Sequence, residues 1–515
     1  MTTANRLFLI TILSIASFFL FCNLGNQYLW QDEAETAILA RNTLTFGLPQ
    51  AYDGKNTVLI LEIPEFSKNY LFGKYWMGQP WLAIYMASLS FRVFGINTFA
   101  ARFPFALTGL FCIFLVYLLA QKFFKSRAVS NISVSLAAFS VPFILHLRQC
   151  RYFSPGTFLT LLCIYLYLCY IEKKKNSSPF LLASLFILLN TSFSYFLGVA
   201  AAVILHIFLT QKSSDFKRNT VFIAVLSISS IPILYFFKLQ RRLALDLDWI
   251  LHNVRFYIRA INKYIFPWRS AVLLYIFYVL RKRKLAVSMP KKDRDAIYLI
   301  ALFIIFALVF LFFINMNSLR YIIHIAPLFF ILEAYIIYRL MTKFRYLVLS
   351  VIIPLTLFTN AFSFSLPVRS FVLDYIYEIT HDYDGPAEGI TMYLNANAKP
   401  GDTVKVAHMF DNPIIFYTDL KVDNMPPFDP STGSGSTMSF CRRVDDGRFP
   451  EWIVVSGRWN SGFYDSDFYL EVKKRYEEIV LPYPDIPWEN RPDDMGYHKF
   501  KTDTGAPLVR IYKRR

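Results

Sequence analysis

Long apolar runs recur along most of the chain, and short polar or basic segments separate them. A run of roughly 17–25 apolar residues can cross a bilayer as a helix. The pattern therefore predicts a polytopic α-helical membrane protein with about eleven transmembrane helices. The predicted spans lie near residues 7–25, 102–121, 128–147, 155–171, 179–192, 194–210, 219–237, 268–280, 296–314, 322–340 and 345–363. We divide the apolar block 179–210 at Asn190-Thr191-Ser192. The alternative, a single tilted helix there, would reverse the orientation of everything that follows.

The basic residues form short clusters between these runs, which is typical of the positive-inside rule rather than of a nucleic-acid surface, despite a net charge of +18. With the N-terminus in the cytoplasm, most clusters fall on cytoplasmic loops, so we predict a multi-pass protein of the inner (plasma) membrane. The loop 238–267 is an exception, because it would be external and yet carries six basic residues. Two interpretations stay open: an anionic partner such as a lipid phosphate, or an amphipathic interfacial helix.

The composition changes after residue 366, where Gly, Pro and Asp become frequent. Residues 1–366 are predicted to form the transmembrane module, and residues 367–515 a soluble, extracytoplasmic domain of mixed α/β structure. A helical pattern covers Pro386–Ala398 and ends at turn residues. Short β-like runs are predicted at four places, Thr403–Ala407, Ile414–Tyr417, Trp452–Ser456 and Leu508–Tyr512.

The first external loop, residues 26–101, contains a conspicuous group of carboxylates. Asp32 begins a helical pattern that ends at Gly47, and a second amphipathic segment covers 81–94. Asp32 and Glu35 have the spacing of a capping box, which would explain both without any catalysis. Glu33 is not explained in this way. A carboxylate at a helix N-terminus stays ionised and is held in place, which suits a general base, so a cap and a catalyst are compatible.

Several motifs occur in a characteristic order. After the acidic helix come Gly47-x-Pro49, then K-Y-W-x-x-x-P-W from Lys74, F-G-x-x-x-F-A-A-R-F-P from Phe94, and R-x-x-R-Y from Arg148. In this order and topology the chain resembles bacterial members of the protein O-mannosyltransferase and aminoarabinose lipid A transferase superfamily, which are similar to glycosyltransferase family 39. The resemblance is good over residues 20–170, looser to 363 and weak beyond.

The resemblance implies a GT-C fold, with the catalytic module in residues 1–366, and a role in cell-envelope glycosylation. The expected activity is inverting hexosyl or pentosyl transfer from a polyprenyl-phosphate sugar to an extracytoplasmic lipid, glycan or protein. The expected partners are this donor, membrane lipids and the acceptor, without nucleic acid. Two alternatives are a lipid-linked sugar flippase or transporter and a non-catalytic assembly protein. A transporter would place charges near the bilayer midplane, and Glu333 is one such residue.

The resemblance also implies site residues. The first acidic residue of the loop is the family's proposed base, which corresponds to Asp32, while Glu33 and Glu35 would support it or orient the acceptor. For Glu33 a solvated charge at the helix start is the alternative. The residues expected to bind the donor phosphate are Lys74, Arg148, Arg151, Tyr152, Arg320 and Tyr321. Some relatives carry Asp in the Arg148–Tyr152 turn and this chain does not. Interface anchoring is the alternative for Lys74 and Arg320.

No cofactor is expected. The external loops contain no His/Asp cluster of the metal-binding type and no Gly-rich loop for a nucleotide phosphate. We therefore predict no required metal, although a divalent cation that bridges Asp32, Glu35 and a phosphate stays open as an alternative.

Overall fold

The computed structural model describes residues 3–58, 71–210, 213–237, 246–267, 289–313, 317–353, 371–381, 385–407, 411–425, 449–455, 463–464, 467–485, 505 and 507–515. Its helices are α1 Thr3–Phe21, α2 Gln31–Phe46, α3 Leu82–Phe94, α4 Thr98–Phe124, α5 Arg127–Phe139, α6 Val141–Leu147, α7 Phe153–Ile171, α8 Ser177–Leu189, α9 Phe193–Thr210, α10 Phe216–Phe236, α11 Leu247–Tyr264, α12 Lys291–Phe312, α13 Ala326–Leu347, α14 Phe371–Thr380, α15 Pro386–Asn397, α16 Asp411–Tyr417 and α17 Asp467–Arg475. The strands are β1 Leu71–Phe72, β2 Tyr75–Trp76, β3 Thr403–Ala407, β4 Lys421–Met425, β5 Trp452–Val455, β6 Tyr476–Pro484 and β7 Leu508–Arg514.

The chain forms two compact units. We call residues 1–22, 79–82 and 105–381 the helical unit, and residues 23–78, 83–104 and 382–515 the mixed unit. The mixed unit thus combines most of the predicted first external loop with the C-terminal region. The predicted boundary at residue 366, between a transmembrane module and a soluble domain, stays a prediction.

Seven helices within the described residues are long and apolar enough to cross a membrane. These spans are Thr3–Phe21, Thr98–Phe124, Phe153–Ile171, Phe193–Thr210, Ser213–Phe236, Lys291–Phe312 and Ile323–Met341. The pair α5 and α6 is bent by 69° and makes an eighth if it counts as one span, and α8 is a shorter apolar helix. The predicted class of polytopic helical membrane protein is confirmed, and α8 and α9 are separate helices, as the division at Asn190 predicted. The predicted span 268–280 lies outside the described residues, as does most of 345–363, so the number eleven stays a prediction.

Small and polar residues join helices of the helical unit. A Cβ added to Gly198 on α9 would lie 2.9 Å from the Cα of Ala307 on α12, so glycine lets the two backbones approach closely. The Tyr167 hydroxyl and His206 Nδ1 lie 2.7 Å apart and link α7 to α9. Asn5 donates to the Tyr117 hydroxyl at 2.8 Å, linking α1 to α4. These contacts replace the hydrophobic driving force that is absent between helices in lipid.

The C-terminal part of the mixed unit is built on a five-stranded sheet in the order β4-β3-β5-β7-β6. Strand β3 pairs in parallel with both β4 and β5, whereas β7 is antiparallel to β5 and to β6. Helix α16 connects β3 to β4 as a short βαβ unit. Because β4 and β5 lie on opposite sides of β3, the sheet has a topological switch point at the carboxyl end of β3, where α16 begins.

The predicted mixed α/β structure is confirmed, and three of the predicted strands coincide with β3, β5 and β7. The prediction of a strand at Ile414–Tyr417 is wrong, because these residues belong to helix α16. Ile414, Ile415 and Phe416 are all buried, and a short, wholly buried apolar run has no periodicity that distinguishes a helix from a strand. Pro413 in the first turn was the available signal for a helix.

Candidate active site

The acidic helix α2 begins at Gln31, one residue earlier than predicted, and ends at Gly47, whose φ of 77° is left-handed as expected for a helix C-terminus. The N-cap position is occupied by Trp30, and the Ala34 amide donates to the Trp30 carbonyl at 2.8 Å. Asp32 is therefore the second helical residue and not the cap. The capping-box interpretation of Asp32 and Glu35 is wrong for this reason, and the start of α2 must be fixed by other contacts.

Glu33 is fully buried and forms a bidentate ion pair. Arg102 Nε donates to Glu33 Oε1 at 2.9 Å, and Arg102 Nη2 donates to Glu33 Oε2 at 2.6 Å. The remaining Arg102 donors reach the carbonyls of Leu24, Gln27 and Tyr28. The alternative of a solvated charge for Glu33 is therefore wrong. The Glu33 carboxylate holds Arg102, and Arg102 in turn fixes the segment that leads into α2. This arrangement favours a structural role for Glu33 over a catalytic one.

Asp32 and Glu35 differ in their accessibility. The Asp32 side chain is partly exposed, whereas Glu35 has an exposed fraction of 9%. Asp32 also lies in the first turn of α2, where the positive end of the helix dipole stabilises an ionised carboxylate. Of the three predicted carboxylates, Asp32 is the one best placed to reach a substrate.

Residues of the C-terminal region hold the segment just before Asp32. The Tyr28 amide donates to Glu388 Oε1 at 2.8 Å, and the Leu29 amide donates to the Tyr417 hydroxyl at 2.9 Å. Gln31 Nε2 donates to Asp411 Oδ1 at 2.5 Å. Burial raises the pKa of Tyr417, so its hydroxyl stays protonated.

These C-terminal residues were not predicted from the sequence, because they are separated from the loop by most of the chain. The short polar sequence Asp411-Asn412, placed between a strand and an apolar run, was the available signal.

Lys74 is exposed in the turn between β1 and β2. Its Nζ lies 5.9 Å from the centre of the Tyr75 ring, and its carbonyl accepts a hydrogen bond from the Ala51 amide. An exposed lysine beside an aromatic ring is compatible with phosphate binding and with interface anchoring alike.

Arg148, directly after α6, is buried and directed at protein acceptors. Its Nη1 donates to the Tyr375 hydroxyl at 2.7 Å and to the Phe19 carbonyl at 3.4 Å, and its Nη2 donates to the Cys22 carbonyl at 2.9 Å. The Tyr375 hydroxyl donates in turn to the Phe19 carbonyl at 2.7 Å. Arg148 thus satisfies carbonyls at the end of α1, and this network favours a structural role for it over phosphate binding.

The other predicted cations lie in one group of the helical unit. The Tyr195 hydroxyl donates to the Arg320 carbonyl at 3.0 Å, and the Tyr195 ring lies 5.7 Å from that of Tyr152. Arg151 lies over the Tyr152 ring at 5.9 Å, and Arg320 over the Tyr321 ring at 5.1 Å. We define the tyrosine–arginine cluster as Arg151, Tyr152, Tyr195, Arg320 and Tyr321, together with Tyr257 of α11. It brings together the Arg151-Tyr152 and Arg320-Tyr321 pairs, which the sequence predicted separately.

Two residues of the cluster were missed by sequence analysis, Tyr195 and Tyr257. Burial raises the pKa of Tyr257, Tyr321 and Tyr152 raise it further, and Arg320 lowers it, which places Tyr257 beside these groups. Gly156 makes room for Tyr195, because a Cβ at Gly156 would lie 2.7 Å from the Tyr195 ring. Tyr195 is buried within the apolar helix α9, where the sequence gives no signal of this role.

The structure describes residues 246–267 of the basic loop 238–267, and this part contains the amphipathic helix α11. Its buried face includes Asn253 and Tyr257, and its exposed face carries Leu251, Arg255 and Arg259. An exposed apolar side chain beside two arginines is typical of a helix at an anionic membrane interface. The two interpretations of this loop are thus compatible with one another.

Within the described residues, no three His, Cys, Asp or Glu side chains are grouped so as to hold a metal ion. The prediction about metals stays a prediction.

Comparison with known proteins gives matches at the level of family model and fold. Residues 78–236 match the family model of dolichyl-phosphate-mannose-protein mannosyltransferase. An uncharacterized protein of Aquifex aeolicus (strain VF5) is 26% identical over 296 residues, which are 54% of this chain and 56% of that protein. The match thus spans little more than half the length of this curated relative.

Solved structures match over nearly the whole chain. ArnT from Cupriavidus metallidurans in the apo state has a TM-score of 0.61 at 13% identity, covering 99% of this chain and 98% of that chain. The same protein bound to undecaprenyl phosphate has a TM-score of 0.57 at 12% identity, covering 98% of this chain and 97% of that chain. The archaeal oligosaccharyltransferase AglB from Archaeoglobus fulgidus, in complex with an inhibitory peptide and a dolichol-phosphate, has a TM-score of 0.53 at 10% identity, covering 95% and 75%. The predicted resemblance to the GT-C superfamily is confirmed by these matches.

Proposed function

We propose, from the GT-C fold that this chain shares with the ArnT and AglB structures, that it is an inverting glycosyltransferase. It would move a hexosyl or pentosyl group from a polyprenyl phosphate to an extracytoplasmic lipid, glycan or protein. The lipid phosphates bound in those two structures support a donor of this class. With the N-terminus in the cytoplasm, the acidic loop and the C-terminal region would face the extracytoplasmic side.

The observation that carries this proposal is the tyrosine–arginine cluster. Arg151 and Arg320 come from turns far apart in the sequence. Arg151 lies over Tyr152, whose ring is 5.7 Å from that of Tyr195, and the Arg320 carbonyl accepts a hydrogen bond from the Tyr195 hydroxyl. Arginine presents a planar fork of donors that matches a phosphate, and tyrosine hydroxyls add neutral donors. We assign Arg151, Tyr152, Arg320 and Tyr321 to the donor phosphate, with Lys74 as a further cation.

In the proposed reaction an acceptor hydroxyl or amine attacks the anomeric carbon of the donor sugar and gives its proton to Asp32. The bond between the anomeric carbon and the phosphate oxygen breaks, and the configuration at that carbon inverts. The bond electrons leave with the polyprenyl phosphate, whose growing negative charge the arginines stabilise. Glu35 would support Asp32 or orient the acceptor.

The proposal is tested by incubating the purified protein in detergent with a panel of radiolabelled polyprenyl-phosphate sugars and a membrane extract that supplies acceptors. We expect one donor class to give labelled product. Replacing Arg320 by Gln removes a charge-assisted hydrogen bond, worth about 1.5–3 kcal/mol, so kcat/KM for the donor should fall roughly tenfold to a hundredfold.

The matched control is Arg218→Gln. Arg218 also lies over a tyrosine ring, that of Tyr170 at 4.3 Å, but it belongs to a cluster predicted to be cytoplasmic. Its kcat/KM should stay within about twofold of the wild type. Unchanged kcat/KM in Arg320→Gln would contradict the assignment of the cluster. Translocation of donor lipid across liposomes without any transfer product would instead favour the flippase alternative.

The reaction is proposed to need no metal. With a chelator at about 10 mM, which is on the order of a thousandfold above the concentration of trace metal, the wild type should continue to transfer sugar at its initial rate. The measurement is the same radiolabel assay after dialysis against chelator, with the rate compared before and after addition of Mg²⁺ or Mn²⁺. Loss of transfer that either cation restores would contradict this and favour a cation bridging Asp32, Glu35 and the phosphate.

A further inference from the structure

The residue immediately before the proposed base is held by three hydrogen bonds. Gln31 Nε2 donates to Asp411 Oδ1 at 2.5 Å, the Asn412 amide donates to Gln31 Oε1 at 3.3 Å, and Asn412 Nδ2 donates to the Gln31 carbonyl at 3.3 Å. Asp411 and Asn412 are both fully buried at the start of α16. Gln31 is therefore fixed through both ends of its side-chain amide and through its main chain.

The start of α2 depends on this arrangement. The N-cap residue Trp30 makes no side-chain hydrogen bond that caps the helix. In its place, the main chain is held at Tyr28 by Glu388, at Leu29 by Tyr417, and at Gln31 by Asn412. Glu388 is itself fixed, because its Oε2 accepts a hydrogen bond from the Gly385 amide at 2.7 Å.

We propose that Gln31, held by Asp411 and Asn412, is a positioning residue for the base Asp32, so that the C-terminal region sets the geometry of transfer. This inference rests on the proposed function of Asp32. Gln31 is joined to Asp32 by one peptide bond, and both lie in the first turn of α2. A base displaced by about 1 Å can lose about a hundredfold in rate, so the hydrogen bonds of Gln31 matter for turnover more than for stability.

The test reverses the direction of the hydrogen bond from Gln31 Nε2 to Asp411 Oδ1. Gln31→Glu places a second carboxylate against that of Asp411, and the repulsion should lower kcat tenfold or more, on the order expected for a displaced base. Asp411→Asn should keep kcat within about threefold of the wild type, because its amide oxygen still accepts from Gln31. In the double variant Gln31→Glu/Asp411→Asn, the new amide donates to the new carboxylate, and kcat should recover to within about fivefold of the wild type.

The readouts separate positioning from folding. The KM for the donor should be unchanged in all three variants, and the melting temperature of Gln31→Glu should stay within a few degrees of the wild type, about the shift for 1 kcal/mol. The control is Asp402→Asn, the same change at a carboxylate that accepts from Trp452 Nε1 at 2.9 Å in the same region. It should leave kcat unchanged.

Each outcome has one consequence. A wild-type protein that transfers sugar, together with a Gln31→Glu variant of equal kcat, would overturn the positioning role and leave the proposed function intact. A lowered kcat that the double variant fails to restore would also overturn it. A wild-type protein that transfers no sugar from any donor would instead overturn the proposed function.

Discussion

Asp32→Asn is expected to lower turnover by about 10²–10⁴-fold while the protein still folds and inserts, because an amide cannot take the proton of the acceptor. Asp32 is the second residue of α2 and is partly exposed. The segment before it is held by Glu388, Tyr417, Asp411 and Asn412. The loss of its interaction with the helix dipole costs about 0.3–1 kcal/mol. Radiolabelled sugar transfer and size-exclusion chromatography of the same preparation would measure both effects.

Asp248→Asn is a closely matched control for this variant. Asp248 is also the second residue of a helix, α11, and is exposed in the helical unit. The substitution therefore changes the same charge at the same helical position, and transfer should remain at the wild-type rate. Wild-type turnover in Asp32→Asn, or an equal loss in Asp248→Asn, would exclude Asp32 as the base.

The membrane part of the fold was predictable from the sequence because the bilayer imposes one simple requirement on it. A helix must hydrogen-bond its own backbone and present about twenty apolar residues, and this requirement is readable from a window of sequence. The division of 179–210 into α8 and α9 needed only the polar break at Asn190. The bend of 69° between α5 and α6 was not predictable in this way, since both halves belong to one apolar run.

The roles of single charged residues were less predictable, because they depend on partners distant in the sequence. Glu33 and Asp32 are adjacent and chemically alike, yet one is enclosed by Arg102 and the other is partly exposed. Arg148 and Arg151 belong to the same turn, and one binds carbonyls of α1 while the other joins the tyrosine–arginine cluster. A charge near the start of a predicted span, as at Arg102, indicates a buried partner but does not identify it.

The capping box shows why local patterns are insufficient here. Asp32 and Glu35 have the correct spacing, but α2 begins at Gln31, where Asp411 and Asn412 supply hydrogen bonds from the C-terminal region. Tertiary contacts thus displaced the helix start by one residue relative to the local preference. The displacement leaves the Asp32 carboxylate out of the capping position.

Arg102→Met is expected to be among the most destabilising single changes in the mixed unit. The residue is 2% exposed, and its five donors all have acceptors, two on the Glu33 carboxylate and three on carbonyls of the segment before α2. Removing it leaves Glu33 ionised and buried without its cation, which costs about 3–5 kcal/mol. The measurement is thermal unfolding in detergent, followed by size-exclusion chromatography.

The partner variant separates the ion pair from the packing. Arg102→Met/Glu33→Met removes both charges and keeps the volume, so it should recover much of the melting temperature lost in Arg102→Met, because replacing a buried pair by apolar residues is often neutral. It should not recover transfer fully, since the carbonyls of Leu24, Gln27 and Tyr28 would still lack their donors and the segment leading to Asp32 would be less well fixed.

Arg102→Lys should also be unstable, because one ammonium cannot make the five hydrogen bonds of a planar guanidinium. A melting temperature of Arg102→Met equal to that of the wild type would contradict the structural role assigned to this ion pair. A double variant as active as the wild type would show that the hold on the segment before α2 is not needed for transfer.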